Sequence, residues 1–155
     1  MKLEKVAAGG ARRHRGLTLI ELMVVVAVLA IIATIAIPAY TKLMNSVRRA
    51  DGRAAVTAVA LAEERYFSIY QSYTASLDDL KKMAGLDADV ADGDSAKGYY
   101  TVAVAGNIVG SECAIERCFT VTATAQNPDA ECTAMTLTSE GNKGGSPAGT
   151  NKCWP

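Results

Sequence analysis

The chain has 155 residues, half of them hydrophobic, with 16 basic and 16 acidic side chains, which is enough for one domain with a modest core. Residues 1–16 hold five of the basic residues (Lys2, Lys5, Arg12, Arg13, Arg15) and one acid (Glu4), so the remainder carries a net charge of about −4, a balance that argues against direct nucleic-acid binding. The single histidine is His14 in the basic segment, so Ser-His-Asp and Cys-His machinery is excluded downstream of it. No P-loop, H-E-x-x-H or Gly-rich phosphate loop occurs, and no catalytic residue, metal or cofactor is expected.

Residues 1–16 form a basic leader. From Leu17 to Ile37 every residue is apolar or Thr except Glu21. That length matches the hydrocarbon core of a bilayer better than the core of a soluble domain. A cleavable signal peptide would have a shorter apolar region and no carboxylate inside it. A retained helix crossing the membrane once, with Arg12, Arg13 and Arg15 on the cytoplasmic side, fits better. A carboxylate in hydrocarbon costs roughly 2.5–3.5 kcal/mol. Placement in a first helical turn returns only about 0.3–1 kcal/mol, too little to explain a Glu in a bilayer-length segment.

The helical pattern continues to about Tyr70, for ~80 Å at 1.5 Å per residue. Val47, Ala50, Ala54, Ala58, Leu61, Ala62 and Ile69 form one stripe, with Arg49, Arg53, Thr57 and Glu64 opposite. Arg65 breaks the stripe. Pro38 is expected to kink the helix and Gly52 to weaken it. The adjacent acids Glu63–Glu64 and Asp78–Asp79 diverge on a helix and are expected on a solvated face.

Ser76-Leu77-Asp78-Asp79 resembles a capping box and predicts a short helix from Leu77 to Met83. Residues 87–98 hold Asp87, Asp89, Asp92 and Asp94, but the spacing is wrong for an EF-hand, and a solvated loop is expected. Tyr99–Ala105, Cys118–Ala125 and Thr133–Ser139 alternate with period two and predict antiparallel strands with one face buried. In the second, Phe119, Val121, Ala123 and Ala125 face one way and Thr120, Thr122 and Thr124 the other. Three such strands, with room for a fourth, packed on the second half of the long helix give an α+β head. The Gly-rich stretch after Ser139 is expected to be a loop with no packing of its own.

The four cysteines, Cys113, Cys118, Cys132 and Cys153, lack C-x-x-C spacing, and two disulfides in an oxidising compartment fit better than zinc. Three pairings are open, and proximity suggests Cys113–Cys118 and Cys132–Cys153. Closing the longer loop contributes roughly 3 kcal/mol.

The run "RGLTLIELMVVVAVLAIIATIAIPAY" resembles the N-terminus of type IV pilins and pseudopilins. The resemblance implies cleavage by a prepilin peptidase between Gly16 and Leu17, N-methylation of Leu17, and pairing of the new amine with Glu21 of a neighbouring subunit. It also implies a helix kink at Pro38. Leu17 departs from the usual Phe or Met. Cys132, Gly141 and the closing Cys153-Trp154 are similar to PilE-like minor pilins, and Cys113 and Cys118 are additional to that pattern. The implied organisation is a cleaved leader (1–16), a long helix whose first part is transmembrane (17–70), and a pilin-fold head (71–155). The implied partners are other pilin subunits, the prepilin peptidase and N-methyltransferase, and an inner-membrane assembly platform. The implied location is the inner membrane, with the N-terminus cytoplasmic and the head periplasmic, and then the extracellular pilus. The implied roles are assembly or initiation of the pilus, and through it twitching, adhesion or DNA uptake. A pseudopilin of a type II secretion system, a major pilin and, outside the family, a membrane-anchored periplasmic binding protein remain as alternatives.

Overall fold

A computed structural model describes residues 18–106, 113–147 and 152–154. Helix α1 spans Leu19–Tyr70, α2 Leu77–Ala84 and α3 Ala88–Ala91. The strands are β1 (Tyr100–Ala105), β2 (Thr120–Ala125), β3 (Ala134–Thr138) and β4 (Lys143–Ser146). They form one antiparallel sheet in the order β1-β2-β3-β4. The chain divides into two compact units at Tyr40/Thr41.

In the second unit, strand register decides what the core contains. Val102 pairs with Ala123, Ala123 with Met135, and Met135 with Gly145. This row crosses the sheet on one face, because side chains alternate faces along each strand. Val102, Ala123 and Met135 are buried together with Tyr100, Phe119 and Val121, against Ala55, Val56 and Val59 of α1 and Leu80, Leu86 and Val90 of the segment between. Burial of a side chain the size of Phe119 stabilises the unit by roughly 2–3 kcal/mol.

Helix and sheet approach closely because Gly52 has no side chain. A Cβ there would lie 2.9 Å from two Tyr100 ring carbons and 3.0 Å from Met135 Cε. Gly52 is thus a packing residue rather than the weak point expected of a glycine inside a helix.

The buried face of α1 also differs from the expected stripe. Asp51, Gly52, Ala55, Val56, Val59, Ala62 and Glu63 are buried, whereas Val47, Leu61 and Ile69 are 40%, 51% and 61% exposed. Of the expected stripe only Ala62 is buried and Ala58 half-buried. The helix has two apolar faces, and the head occupies the one with the smaller residues, where a sheet can approach.

Local signals act as their chemistry dictates at α2. Ser76 Oγ accepts the Asp79 N–H at 3.2 Å, capping the helix. Gly85 ends it at φ 70°, its N–H donating to Leu80 O. The Gly-rich stretch after Ser139, by contrast, contains β4. A Cβ on Gly144 would fall 2.5 Å from Thr136 Oγ1, and one on Gly145 would fall 2.8 Å from Cys153 Sγ. The glycines give this edge strand the clearance it needs.

Candidate assembly helix and the clamp on the C-terminal loop

Of the residues expected to serve processing and assembly, Gly16 and Leu17 lie outside the described residues. Glu21 stands in the first turn of α1. Its N–H donates to Thr18 Oγ1 at 3.3 Å, so Thr18 caps the helix and sets where the first turn begins. α1 is long and apolar enough to cross a membrane, and none of its apolar window is buried within the chain. Every large apolar residue from Leu19 to Ile37 is at least 50% exposed. Glu21 is the single ionisable residue of that segment. Pro38 lies inside the helix and has no N–H to donate to the preceding turn.

The cysteines pair as Cys113–Cys118 and Cys132–Cys153, with Cα separations of 6.1 and 5.2 Å. Cys132 and Cys153 are both fully buried. Trp154 follows the bridge, and its Nε1 donates to Gly144 O at 2.7 Å, tying the C-terminal segment to β4. Lys143 Nζ sits 5.2 Å from the centre of the Trp154 ring, within cation–π range.

A second fastening holds the same segment to α1. Arg49 forms a two-pronged pair with Asp129, Nε to Oδ2 at 2.6 Å and Nη2 to Oδ1 at 2.7 Å. It also reaches Glu131 at 3.1 Å and Lys152 O at 3.3 Å. One turn on, Arg53 Nη1 donates to Cys153 O at 3.0 Å. Lys152 closes the circuit on Glu131 at 2.5 Å. The Arg49–Asp129 pair is nearly buried, and its planar two-bond geometry offsets the desolvation of both charges. Arg49 holds the Asp129 carboxyl below the usual carboxylate range, and burial opposes that only in part. Arg49 and Arg53 were expected on the side of α1 facing away from the core. Their i, i+4 spacing was the available signal that they act together, and their acceptors, far along the chain, gave no local signal.

Glu63 is the other departure. Expected on a solvated face, it is fully buried. Oε2 accepts the Thr74 N–H at 3.1 Å, while Oε1 has no hydrogen-bond partner. Burial pushes its carboxyl up to about 7, the Thr74 N–H lowers it in part, and the Glu64 carboxylate raises it further. Glu64, exposed, accepts Tyr73 Oη at 3.1 Å. The two acids do diverge, but each meets one of two successive residues of the segment after α1.

The acidic stretch contains α3 and is bonded into the head. Ser95 Oγ donates to buried Asp51 at 2.5 Å and accepts the Tyr99 and Tyr100 N–H groups, each at 3.0 Å. Asp94 accepts from Gln126 Nε2 at 2.7 Å. Among the described residues, no group of three His, Cys, Asp or Glu side chains is arranged to hold a metal.

Comparison with known proteins places these features. A family model described as "Type IV minor pilin ComP, DNA uptake sequence receptor" matches residues 38–136, more than half of the chain. A second, "Prokaryotic N-terminal methylation motif", matches residues 11–37, which include Gly16, Leu17 and Glu21. The type IV major pilin protein PilA of Myxococcus xanthus (strain DK1622) is 39% identical over 62 residues, 40% of this chain and 28% of that protein. The match thus spans under a third of that relative's length. A solved structure of a type IV pilin from Shewanella oneidensis shares 21% identity at a TM-score of 0.46, over 71% of this chain and 97% of that one. With a methylation-motif match running through the apolar first part of α1 and a minor-pilin match from residue 38 through the rest of α1 into β3, the chain belongs to the type IV minor pilin ComP family.

Proposed function

We propose that the protein is a structural, non-catalytic subunit of a type IV pilus. It is made as a prepilin and held in the inner membrane by the first part of α1, with its basic leader cytoplasmic and its head periplasmic. It is cut between Gly16 and Leu17, methylated on Leu17 and passed by the assembly platform into a filament with other pilins. There it serves assembly or initiation, and through the filament twitching, adhesion or DNA uptake.

One observation carries this reading: Glu21 is the lone charge between Leu19 and Ile37, the exposed apolar segment of a helix long and apolar enough to cross a bilayer. Cleavage would create an amine four residues before it. In a shaft built of packed helices, that amine on one subunit and Glu21 on the next would offset each other's desolvation, since opposite charges attract strongly at low dielectric. The pair would also fix axial register, because a one-residue slip leaves both charges unpaired. The test is Glu21→Ala. Its leader should still be removed, while its incorporation into surface filaments should fall below detection. Normal incorporation would overturn the pairing. Gly16→Val, which blocks cleavage, separates a processing defect from an assembly defect.

Direct contact with DNA is a second reading, favoured by the family description, which names a DNA uptake sequence receptor over the region matching this head. It runs against the expectation drawn from net charge. With the chain beyond residue 16 at about −4, DNA contact would need a local cationic surface, and the Lys143–Trp154 pair has the cation and the aromatic ring that nucleic acids accept. Salt-dependent retention of duplex DNA by the full chain, weakened in Lys143→Ala, would support it. No retention at low salt would leave only the subunit role.

A further inference from the structure

Unlike the buried acids Asp51 and Asp129, Glu63 has no side-chain hydrogen-bond partner among the described residues. Asp51 satisfies Ser95 and Asp129 satisfies Arg49, whereas Glu63 is fully buried with one oxygen bonded to a backbone N–H and the other without a partner. A buried carboxylate in that state costs far more than its protonated form. Of the groups acting on its charge, none is a cation: they are the Thr74 N–H and the Glu64 carboxylate.

The neighbours make this site a fastening rather than an isolated defect. Thr74 is bonded by Glu63, and Tyr73 by Glu64. The Tyr73 ring stacks on Phe67 with centroids 4.6 Å apart and meets Phe119 edge-on at 4.8 Å. Its N–H donates to Glu116 O at 3.3 Å, within the loop that Cys113–Cys118 closes. The other titratable groups on this face are Tyr66 of α1, which feels Glu63 and Asp79 of α2, and Tyr73, which feels both Glu63 and Glu64. Arg65, the nearest cation in sequence, donates to Ala84 O at 3.4 Å. Residues 72–76 thus join α1 to the β1–β2 loop, and Glu63 is their buried anchor.

We propose that Glu63 is a proton-controlled latch: when it is protonated, residues 72–76 are locked onto α1, and when it loses the proton the segment and its contact with the β1–β2 loop are released. The sign follows from burial. The folded head holds the proton to higher pH than the unfolded chain does, from 4.5 up to about 7. The stabilisation is therefore complete below the unfolded value and is lost as pH rises through the folded one. The head would respond to the acidity of its surroundings through one face, independently of whether the filament reading holds.

Amide hydrogen exchange on the full-length chain in detergent tests this, with rates corrected for the intrinsic effect of pH. Protection of the amides at 72–76 should fall about tenfold or more between about pH 5.5 and about pH 8.5, while amides of β2 change little. In Glu63→Gln, which cannot ionise, the fall should vanish, and Glu64→Gln should keep it. Equal protection at both pH values in the unaltered chain, or the same fall in Glu63→Gln, would overturn the latch. If Glu63→Gln does not fold, the Glu63 carboxyl of the unaltered chain can be followed by carbon NMR. A midpoint near neutrality that moves together with the Thr74 amide supports the latch, and a midpoint near that of an ordinary Glu overturns it.

Discussion

Between Leu19 and Ile37, α1 carries one ionisable residue, Glu21, and every large apolar side chain is at least half exposed. Between Asp51 and Glu63 the same helix buries seven residues, two of them acids. The first stretch has the composition of a segment whose solvent is hydrocarbon or other helices. The second resembles an ordinary domain helix with an inner face of small residues, an outer face, and charged groups that cross to other elements. The difference teaches that an apolar stripe on a helix does not say what covers it. Val47, Leu61 and Ile69 line up convincingly and stay exposed, while the head packs on Gly52, Ala55, Val56 and Val59.

The comparison can be broken at its strongest point first. Arg49→Ala should destabilise the head by roughly 2–4 kcal/mol, because Asp129 is left charged and nearly buried without its partner. Thermal melts at neutral pH would measure it. The Asp129 carboxyl lies below its unfolded range, so the pair's contribution is present above about pH 4 and is lost as pH falls through the folded value. The gap between the two proteins should close in acid, opposite in sign to the behaviour of Glu63. A gap that is independent of pH would mean that lost packing, not charge, explains the damage.

Gly52→Ala tests the close approach of helix and sheet. Better helix propensity would stabilise by up to about 1 kcal/mol, but a Cβ 2.9 Å from the buried Tyr100 ring costs roughly 1–3 kcal/mol. We expect a net loss of about 1 kcal/mol by denaturant titration. A gain would show that the sheet can retreat.

Leu61→Ser should have the smallest effect on the head, within about 0.5 kcal/mol, while lowering incorporation into filaments. Taken together, the three variants separate the inner face of α1 from the outer. A large melting shift in Leu61→Ser would erase that distinction.

Much of this fold is legible in the sequence. The alternation of Val121 and Ala123 against Thr122 and Thr124 predicts a half-buried strand, and β2 is that strand, although Thr120 at its start is buried as well. Ser76 three residues before Asp79 marks the start of α2. The cysteine pairs follow simple proximity. The apolar run from Leu17 to Ile37 is legible as a bilayer-length segment because hydrocarbon leaves few permissible patterns, and the methylation-motif model matches through it. What was hidden depends on contacts distant in the chain. β4 is spelled Lys-Gly-Gly-Ser, with no strand propensity, and exists because Thr136 and Cys153 leave room only for glycine. Glu63 and Glu64 look alike until Thr74 and Tyr73 arrive beside them. Arg49 gains its meaning from Asp129, and nothing near Arg49 announces that partner.

The most direct measurement is the intact mass and N-terminal sequence of the protein recovered from cells. The account predicts a chain that begins at Leu17, about 14 Da heavier for one N-methyl group and about 4 Da lighter for two disulfides. A chain that begins near Ala39 would mean that α1 had lost its apolar segment to a signal peptidase, and would contradict the claim that this segment is kept for assembly.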